Sequence, residues 1–138
     1  MDTSAVVKLL IQESGSDLSR SSAEEAEAVL TSRLTLVETR SALARMRAAG
    51  RITSVQHRAK LSEFAAFWSD TGVVDVMEPI VEQAASLAEQ HTLRAYDAMH
   101  LASALLVAET ARPAFGCWDR ELRTAAAKED LEMVPSEL

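Results

Sequence analysis

The sequence predicts an α/β fold: a central, mainly parallel sheet covered by helices on both sides, in three layers (α/β/α). One observation on the sequence and one general rule of strand pairing predict it. Short β-branched or apolar segments alternate with longer segments of helical apolar spacing along most of the chain, and strands separated by helices pair in parallel. Since 138 residues is about the length of one domain, we expect a single domain over residues 1–138.

The first elements follow from local patterns. Residues 5–12 (AVVKLLIQ) have helical apolar spacing, and residues 28–32 (AVLTS) read as a short buried strand. The polar stretch ESGSDLSRSS between them is too short to divide domains, and we interpret it as a loop and the start of a helix.

Two consecutive helices come next. TLVETRSALARMRAAG is expected to be a helix that ends at Gly50. The following segment opens with Thr53 and has Gln56 three residues later, the pattern of a capping box. We therefore predict a second helix directly after the first.

The second half of the chain repeats the alternation of predicted strands and helices. Pro79 favours the beginning of a helix, and Pro135 ends the last apolar segment. The predicted strands are 73–79, 114–118 and 131–135, and the predicted helices are 80–91, 94–110 and 119–130.

Composition narrows the classes of function. The net charge of −7 argues against general affinity for polyanions, although five arginines between Arg33 and Arg51 form one local basic ridge. Cys117 is the single cysteine, so no intramolecular disulfide is possible. The densest apolar run, 101–108, is too short to span a bilayer. We expect a cytoplasmic protein without membrane contact.

Four acidic residues occupy the places where open α/β sheets bind ligands, outside the carboxyl ends of the strands. Asp2 precedes the first helix, Glu38 follows strand 28–32, Asp97 opens its helix and Asp119 follows AFGCW. Each of them alone is also explained by helix capping or the helix dipole. Together they could bind Mg²⁺ or Mn²⁺, which prefer carboxylate oxygens, and such ions can drive phosphodiester hydrolysis.

The same residues carry a resemblance. DTSAVVKLL, LTLVETRSALAR, LRAYDAMHLASAL and CWDRELRTAAAKEDLEMVP resemble, in order, the four acidic motifs of PIN-domain ribonucleases, most closely the VapC-type toxins. The resemblance implies a PIN-like fold and Mg²⁺- or Mn²⁺-dependent endonucleolytic cleavage of RNA. It implies that Asp2, Glu38, Asp97 and Asp119 are the catalytic, metal-binding acids, in a homodimer silenced by a cognate antitoxin of a toxin–antitoxin system.

Three positions depart from the family pattern. A longer apolar strand precedes the first acid in the family, whereas here Met1 alone does, so we expect either a clipped start or a first strand reduced to a stub. Cys117 stands where a Thr or Ser is common and is a weaker hydrogen-bonding group. Asp130 replaces a glycine and should tolerate a left-handed backbone.

Several neighbouring side chains have two interpretations each. Ser4 could cap the first helix or steady Asp2, and His100 is expected to be a hydrogen-bonded core or interface residue rather than a base. Arg120 or Arg123 could hold a substrate phosphate. A solvated face, an RNA-binding ridge or a surface for an acidic partner could be formed by Arg40, Arg45 and Arg47, and the first is the one we expect. Residues expected in the core or at a dimer contact are Phe64, Phe67 and Trp68.

Two rival functions remain open. One is a catalytically silent α/β interaction module whose acidic edge binds a basic peptide. The other is a small phosphatase with Asp2 as nucleophile, which is weakened by the lack of a second Asp two residues later. For the metal-dependent nuclease, we expect Asp97 to be balanced by a cation and its own helix dipole, and not by another side chain.

Overall fold

The computed structural model describes residues 1–138 and confirms the α/β class. Seven helices alternate with four short strands. The helices are α1 (Thr3–Leu10), α2 (Ser16–Glu25), α3 (Leu34–Ala48), α4 (Ser54–Asp70), α5 (Glu78–His91), α6 (Ala95–Ala108) and α7 (Arg120–Lys128). The strands are β1 (Leu30–Ser32), β2 (Gly72–Val74), β3 (Ala114–Gly116) and β4 (Glu132–Val134).

The strands pair in parallel, as predicted, but in two separate two-stranded sheets instead of one central sheet. β1 pairs with β2, and β3 pairs with β4. Met1 and Asp2 join the two pairs: the α-amino group of Met1 donates to the carbonyl of Leu30 at 2.7 Å, and the N–H of Asp2 donates to the carbonyl of Gly116 at 3.0 Å. Two residues are too few to form a ladder of their own, which is why the sheet is interrupted here.

Two apolar clusters hold the helices in place. The larger packs α5, α6 and α7 against β3, with Leu101 and Leu122 fully buried in it. The smaller packs α1, α3 and α4 around Phe64, which is stacked on Phe67 and tilted against Trp68. Phe64 is therefore a core residue, as one of the two expected roles predicted, whereas Phe67 and Trp68 are half-buried and pack against this core from its edge.

Local signals explain some of the helix ends. The Thr53–Gln56 capping box is present, with both reciprocal hydrogen bonds formed. Asp130 has φ +58°, so it adopts the left-handed conformation expected of it. The polar stretch after Gly15 contains a full helix, α2, where the sequence predicted a loop and only the start of a helix. The burial of Ser19, which donates to the carbonyl of Ala5 at 2.9 Å, accounts for this difference.

Gly15 is required where α2 begins. Its φ is +86°, and a Cβ on it would lie 2.4 Å from Nε1 of Trp118. A side chain would thus combine backbone strain with a steric clash.

None of the seven helices combines the length and the hydropathy needed to span a bilayer.

Candidate functional site

Asp2 is a buried N-cap. It is 4% exposed, and its Oδ1 accepts from the N–H of Ala5 at 2.9 Å. The Ser4 hydroxyl, 2.7 Å from Oδ1, donates to the same carboxylate, and the thiol of Cys117 donates to Oδ2 at 3.3 Å. Burial, followed by the charge of Asp2, raises the pKa of the Cys117 thiol, so this group stays protonated and donates. Three neutral donors therefore fix the orientation of Asp2.

These contacts decide two of the open interpretations. Asp2, and not Ser4, is the N-cap of α1, whereas Ser4 steadies Asp2 and accepts from the N–H of Trp118 at 2.7 Å. Cys117 takes the position of the expected hydroxyl with a longer and weaker hydrogen bond. The burial of Asp2 also argues against the phosphatase, because a nucleophile must be open to its substrate.

Glu38 is held by two side chains that come from other helices. Its Oε2 accepts from the hydroxyl of Thr3 in α1 and lies 2.6 Å from Nε2 of His100 in α6. Burial opposes the charged form, but the hydrogen bonds from His100 and Thr3 outweigh it and lower the pKa of Glu38. His100 is 4% exposed, which confirms the prediction of a hydrogen-bonded core histidine. The carboxylate is thus kept ionised and oriented.

Asp97 and Asp119 share a single arginine. Nε of Arg94 donates to Oδ2 of Asp97 at 2.7 Å, and the other end of the guanidinium donates to Oδ2 of Asp119 at 3.0 Å. Asp119 also caps α7, accepting from the N–H of Leu122 at 3.0 Å. The expectation that no side chain pairs with Asp97 is therefore wrong, since Arg94 lies one helical turn before it.

The pKa of Asp97 is raised. Burial is the largest cause, and the charge of Asp119 adds to it, while the hydrogen bond from Arg94 acts in the opposite direction. Burial and a neighbouring carboxylate thus make the charged form of Asp97 costly. A stronger cation than one exposed arginine would relieve that cost.

Shared partners bring the four acids to one region of the molecule. Thr3, adjacent to Asp2, contacts Glu38, and His100, one turn after Asp97, contacts the same carboxylate. Cys117 contacts Asp2 and lies 3.7 Å from the carbonyl of Asp119. As the side chains stand, no three Asp, Glu, His or Cys groups come close enough to enclose a metal ion. A cation, the Arg94 guanidinium, already bridges two of the four.

The surrounding arginines have different roles. Arg123 donates to the carbonyls of Cys117 at 2.9 Å and Pro135 at 2.6 Å, so it fastens the chain end instead of holding a phosphate. Arg120 is exposed. Three arginines of the basic ridge lie on α3 and are exposed, as expected of a solvated face: Arg40, Arg45 and Arg47.

Sequence reasoning missed Arg94 and Thr3. The signal for Arg94 was present, because a basic residue three positions before Asp97 lies on the same helical face. No signal in the sequence singles out Thr3, whose role depends on the distance between α1 and α3.

Comparison with known proteins places these residues in a family context. Residues 1–112 match the family described as PIN domain. The chain is 36% identical over 137 residues to ribonuclease VapC45 of Mycobacterium tuberculosis strain CDC 1551 / Oshkosh, covering 99% of this chain and 94% of that protein. It is equally similar, with the same coverage, to ribonuclease VapC49 of M. tuberculosis strain ATCC 25618 / H37Rv.

Proposed function

This chain belongs to the PIN-domain family, in the branch of the VapC ribonucleases, and we propose that it is a divalent-metal-dependent endoribonuclease. Asp2, Glu38, Asp97 and Asp119 would hold one or two Mg²⁺ or Mn²⁺ ions and form its catalytic site. The observation that carries the proposal is the arrangement of these four carboxylates, which lie in or immediately before four different helices and are linked through shared partners.

The donor set fits a hard cation. All four side chains offer carboxylate oxygens, the ligands that Mg²⁺ and Mn²⁺ prefer. The nearest sulfur, on Cys117, donates to Asp2, and sulfur is a soft ligand that these hard cations do not prefer. The guanidinium bridging Asp97 and Asp119 indicates that this part of the site accepts a positive charge.

The residues around the acids have defined tasks in this proposal. Ser4, Cys117 and the N–H of Ala5 fix Asp2, while Thr3 and His100 fix Glu38, so both carboxylates are oriented before any substrate arrives. When bound, the cation supplies an activated water and stabilises negative charge developing at the RNA phosphate. A bound cation would therefore make the local electrostatic potential positive where the phosphate must approach, although the net charge of the protein is negative.

The proposal extends to the biological setting. Like the VapC-type toxins it resembles, the protein would be a cytoplasmic toxin of a toxin–antitoxin system, a single-domain chain of three layers, homodimeric and silenced by an antitoxin. Val37 on α3 is 60% exposed and Val55 on α4 is 67% exposed, and a partner chain could cover such apolar side chains.

One observation favours the rival interaction module. Because Arg94 shows that a guanidinium can pair with two of the acids at once, an arginine of a basic peptide could pair with them in the same way. This rival predicts peptide binding without RNA cleavage and without dependence on a divalent cation.

RNA cleavage by the purified protein tests the proposal. We expect single-stranded RNA to be cut internally with Mg²⁺ or Mn²⁺ and not after chelation with EDTA. Asp119→Asn should reduce the rate by more than about 100-fold, while Asn still caps α7. Asp17→Asn, at an exposed acid of α2, is the matched control and should cut normally. Cleavage that persists in EDTA, or a fully active Asp119→Asn, would refute the proposal.

A further inference from the structure

Arg94 is the only arginine or lysine that forms an ion pair with any of the four acids. Its side chain is 68% exposed, whereas Asp97 and Asp119 are 15% and 30% exposed. Its side chain donates hydrogen bonds to these two carboxylates and to no other group. The guanidinium therefore lies at the open rim of the site and is held there by the acids alone.

Such a bridge is easily exchanged. Ion pairs of exposed arginines contribute little to stability, because water screens them and the long side chain loses entropy. A divalent cation on Asp97 and Asp119 would carry twice the charge of the guanidinium, in the same place. The two cations compete for the same oxygens, so binding of one releases the other.

We propose that Arg94 is an exchangeable group of the site, which pairs with Asp97 and Asp119 until a divalent cation replaces it and then binds an RNA phosphate. This inference rests on the proposed function. The backbone of Arg94, as the N-cap residue of α6, stays fixed beside Asp97, so the released guanidinium remains at the rim. A guanidinium matches a phosphate bidentately, which suits it to this second task.

The proposal makes two opposite predictions for one substitution. Arg94→Gln removes the competitor, so Mn²⁺ should bind the RNA-free protein roughly three- to tenfold more tightly. The same variant loses the phosphate contact, so at saturating Mn²⁺ its KM for RNA should rise about tenfold, with a smaller change in kcat. Arg94→Lys keeps the charge without the bidentate geometry and should fall between wild type and Arg94→Gln in both measurements.

Arg20→Gln is the matched control. Arg20 pairs with Asp17 at i,i+3 spacing, as Arg94 pairs with Asp97. It contacts the carbonyl of Leu9 near the end of α1 opposite to Asp2, about 10 Å along the helix from the site. Its removal lowers the net charge equally and should change neither Mn²⁺ affinity nor KM.

Mn²⁺ titration followed by electron paramagnetic resonance of the free ion, together with steady-state cleavage of a short RNA, separates the outcomes. Tighter Mn²⁺ binding and a higher KM in Arg94→Gln alone support the proposal. Mn²⁺ binding that is unchanged or weaker in Arg94→Gln, an unchanged KM, or equal effects in Arg20→Gln would overturn it while the proposed function stands. A wild-type protein that neither binds Mn²⁺ nor cuts RNA would overturn both.

Discussion

The two halves of the acidic site are held in different ways. Asp2 and Glu38 accept hydrogen bonds from buried or partly buried groups that belong to the packed helices, including Ser4 and His100. Asp97 and Asp119 are bridged by one exposed arginine. The difference indicates that the first pair is oriented by the fold itself, whereas the second pair is free to exchange its partner for a ligand.

Alanine substitution of the two N-caps should show this contrast most strongly. Asp2→Ala leaves the N–H of Ala5, the Ser4 hydroxyl and the Cys117 thiol without their acceptor in a buried place, and should lower the free energy of unfolding by about 2–4 kcal/mol. Asp119→Ala loses mainly a cap and should cost about 1 kcal/mol. Urea denaturation in EDTA measures both. Equal losses would mean that the two halves are not held differently.

Glu38 and Asp97 should respond to pH with opposite signs in the metal-free protein. The pKa of Glu38 is lowered on folding, so its charged form stabilises the fold above the ordinary carboxylate range, and this contribution disappears as pH falls through the folded pKa. The pKa of Asp97 is raised, so its charged form costs stability, and this cost is absent below about pH 4 and appears as pH rises through the folded pKa.

Glu38→Gln and Asp97→Asn test these signs. At pH 7, Glu38→Gln should destabilise by about 1–2 kcal/mol, because His100 and Thr3 lose a charged acceptor. Asp97→Asn should be neutral or slightly stabilising. The difference between Asp97→Asn and wild type should shrink as the pH is lowered toward about 4. The difference between Glu38→Gln and wild type should shrink only below the ordinary carboxylate range, as pH falls through the lowered pKa of Glu38. A loss of stability in Asp97→Asn equal to that in Glu38→Gln would contradict the account.

Cys117→Ser should give the smallest effect. A hydroxyl donates more strongly than a thiol, so the serine should hold Asp2 at least as well and leave cleavage within about twofold of wild type. Cys117→Ala, which removes the donor, is the comparison. We expect the alanine variant to cleave RNA more slowly than the serine variant. If the two variants lost activity equally, Cys117 would have a role other than donating to Asp2.

The sequence predicted the helices better than the sheet. Helical spacing and the capping box at Thr53 are local, so α3 and α4 were found close to their observed bounds. The strands divide into two pairs because only Met1 and Asp2 lie between β1 and β3, and no local sequence pattern describes this arrangement. α2 extends beyond the predicted start because its buried serines pack on α1, and serine alone does not indicate a helix.

The positions of the four acids relative to the elements were also predictable, but their partners were not. Asp2 and Asp119 are N-caps, Asp97 lies in the first turn of α6, and Glu38 follows β1, all as the strand-end argument required. The role of Arg94 was missed because exposed basic residues near acids are common and most are merely solvated. Whether the four acids bind metal and cleave RNA stays a prediction.

Thermal melts of wild type and Asp97→Asn, each with and without Mn²⁺, test the central claim most directly. We expect Mn²⁺ to raise the Tm of wild type, as mass action requires of a ligand of the native state, and Asp97→Asn to lose most of that increase. In EDTA the two proteins should melt at the same temperature or with the variant slightly higher. Asp17→Asn should behave as wild type throughout. An Asp97→Asn variant that retains the full Mn²⁺-induced increase would contradict the claim that these acids form a metal site.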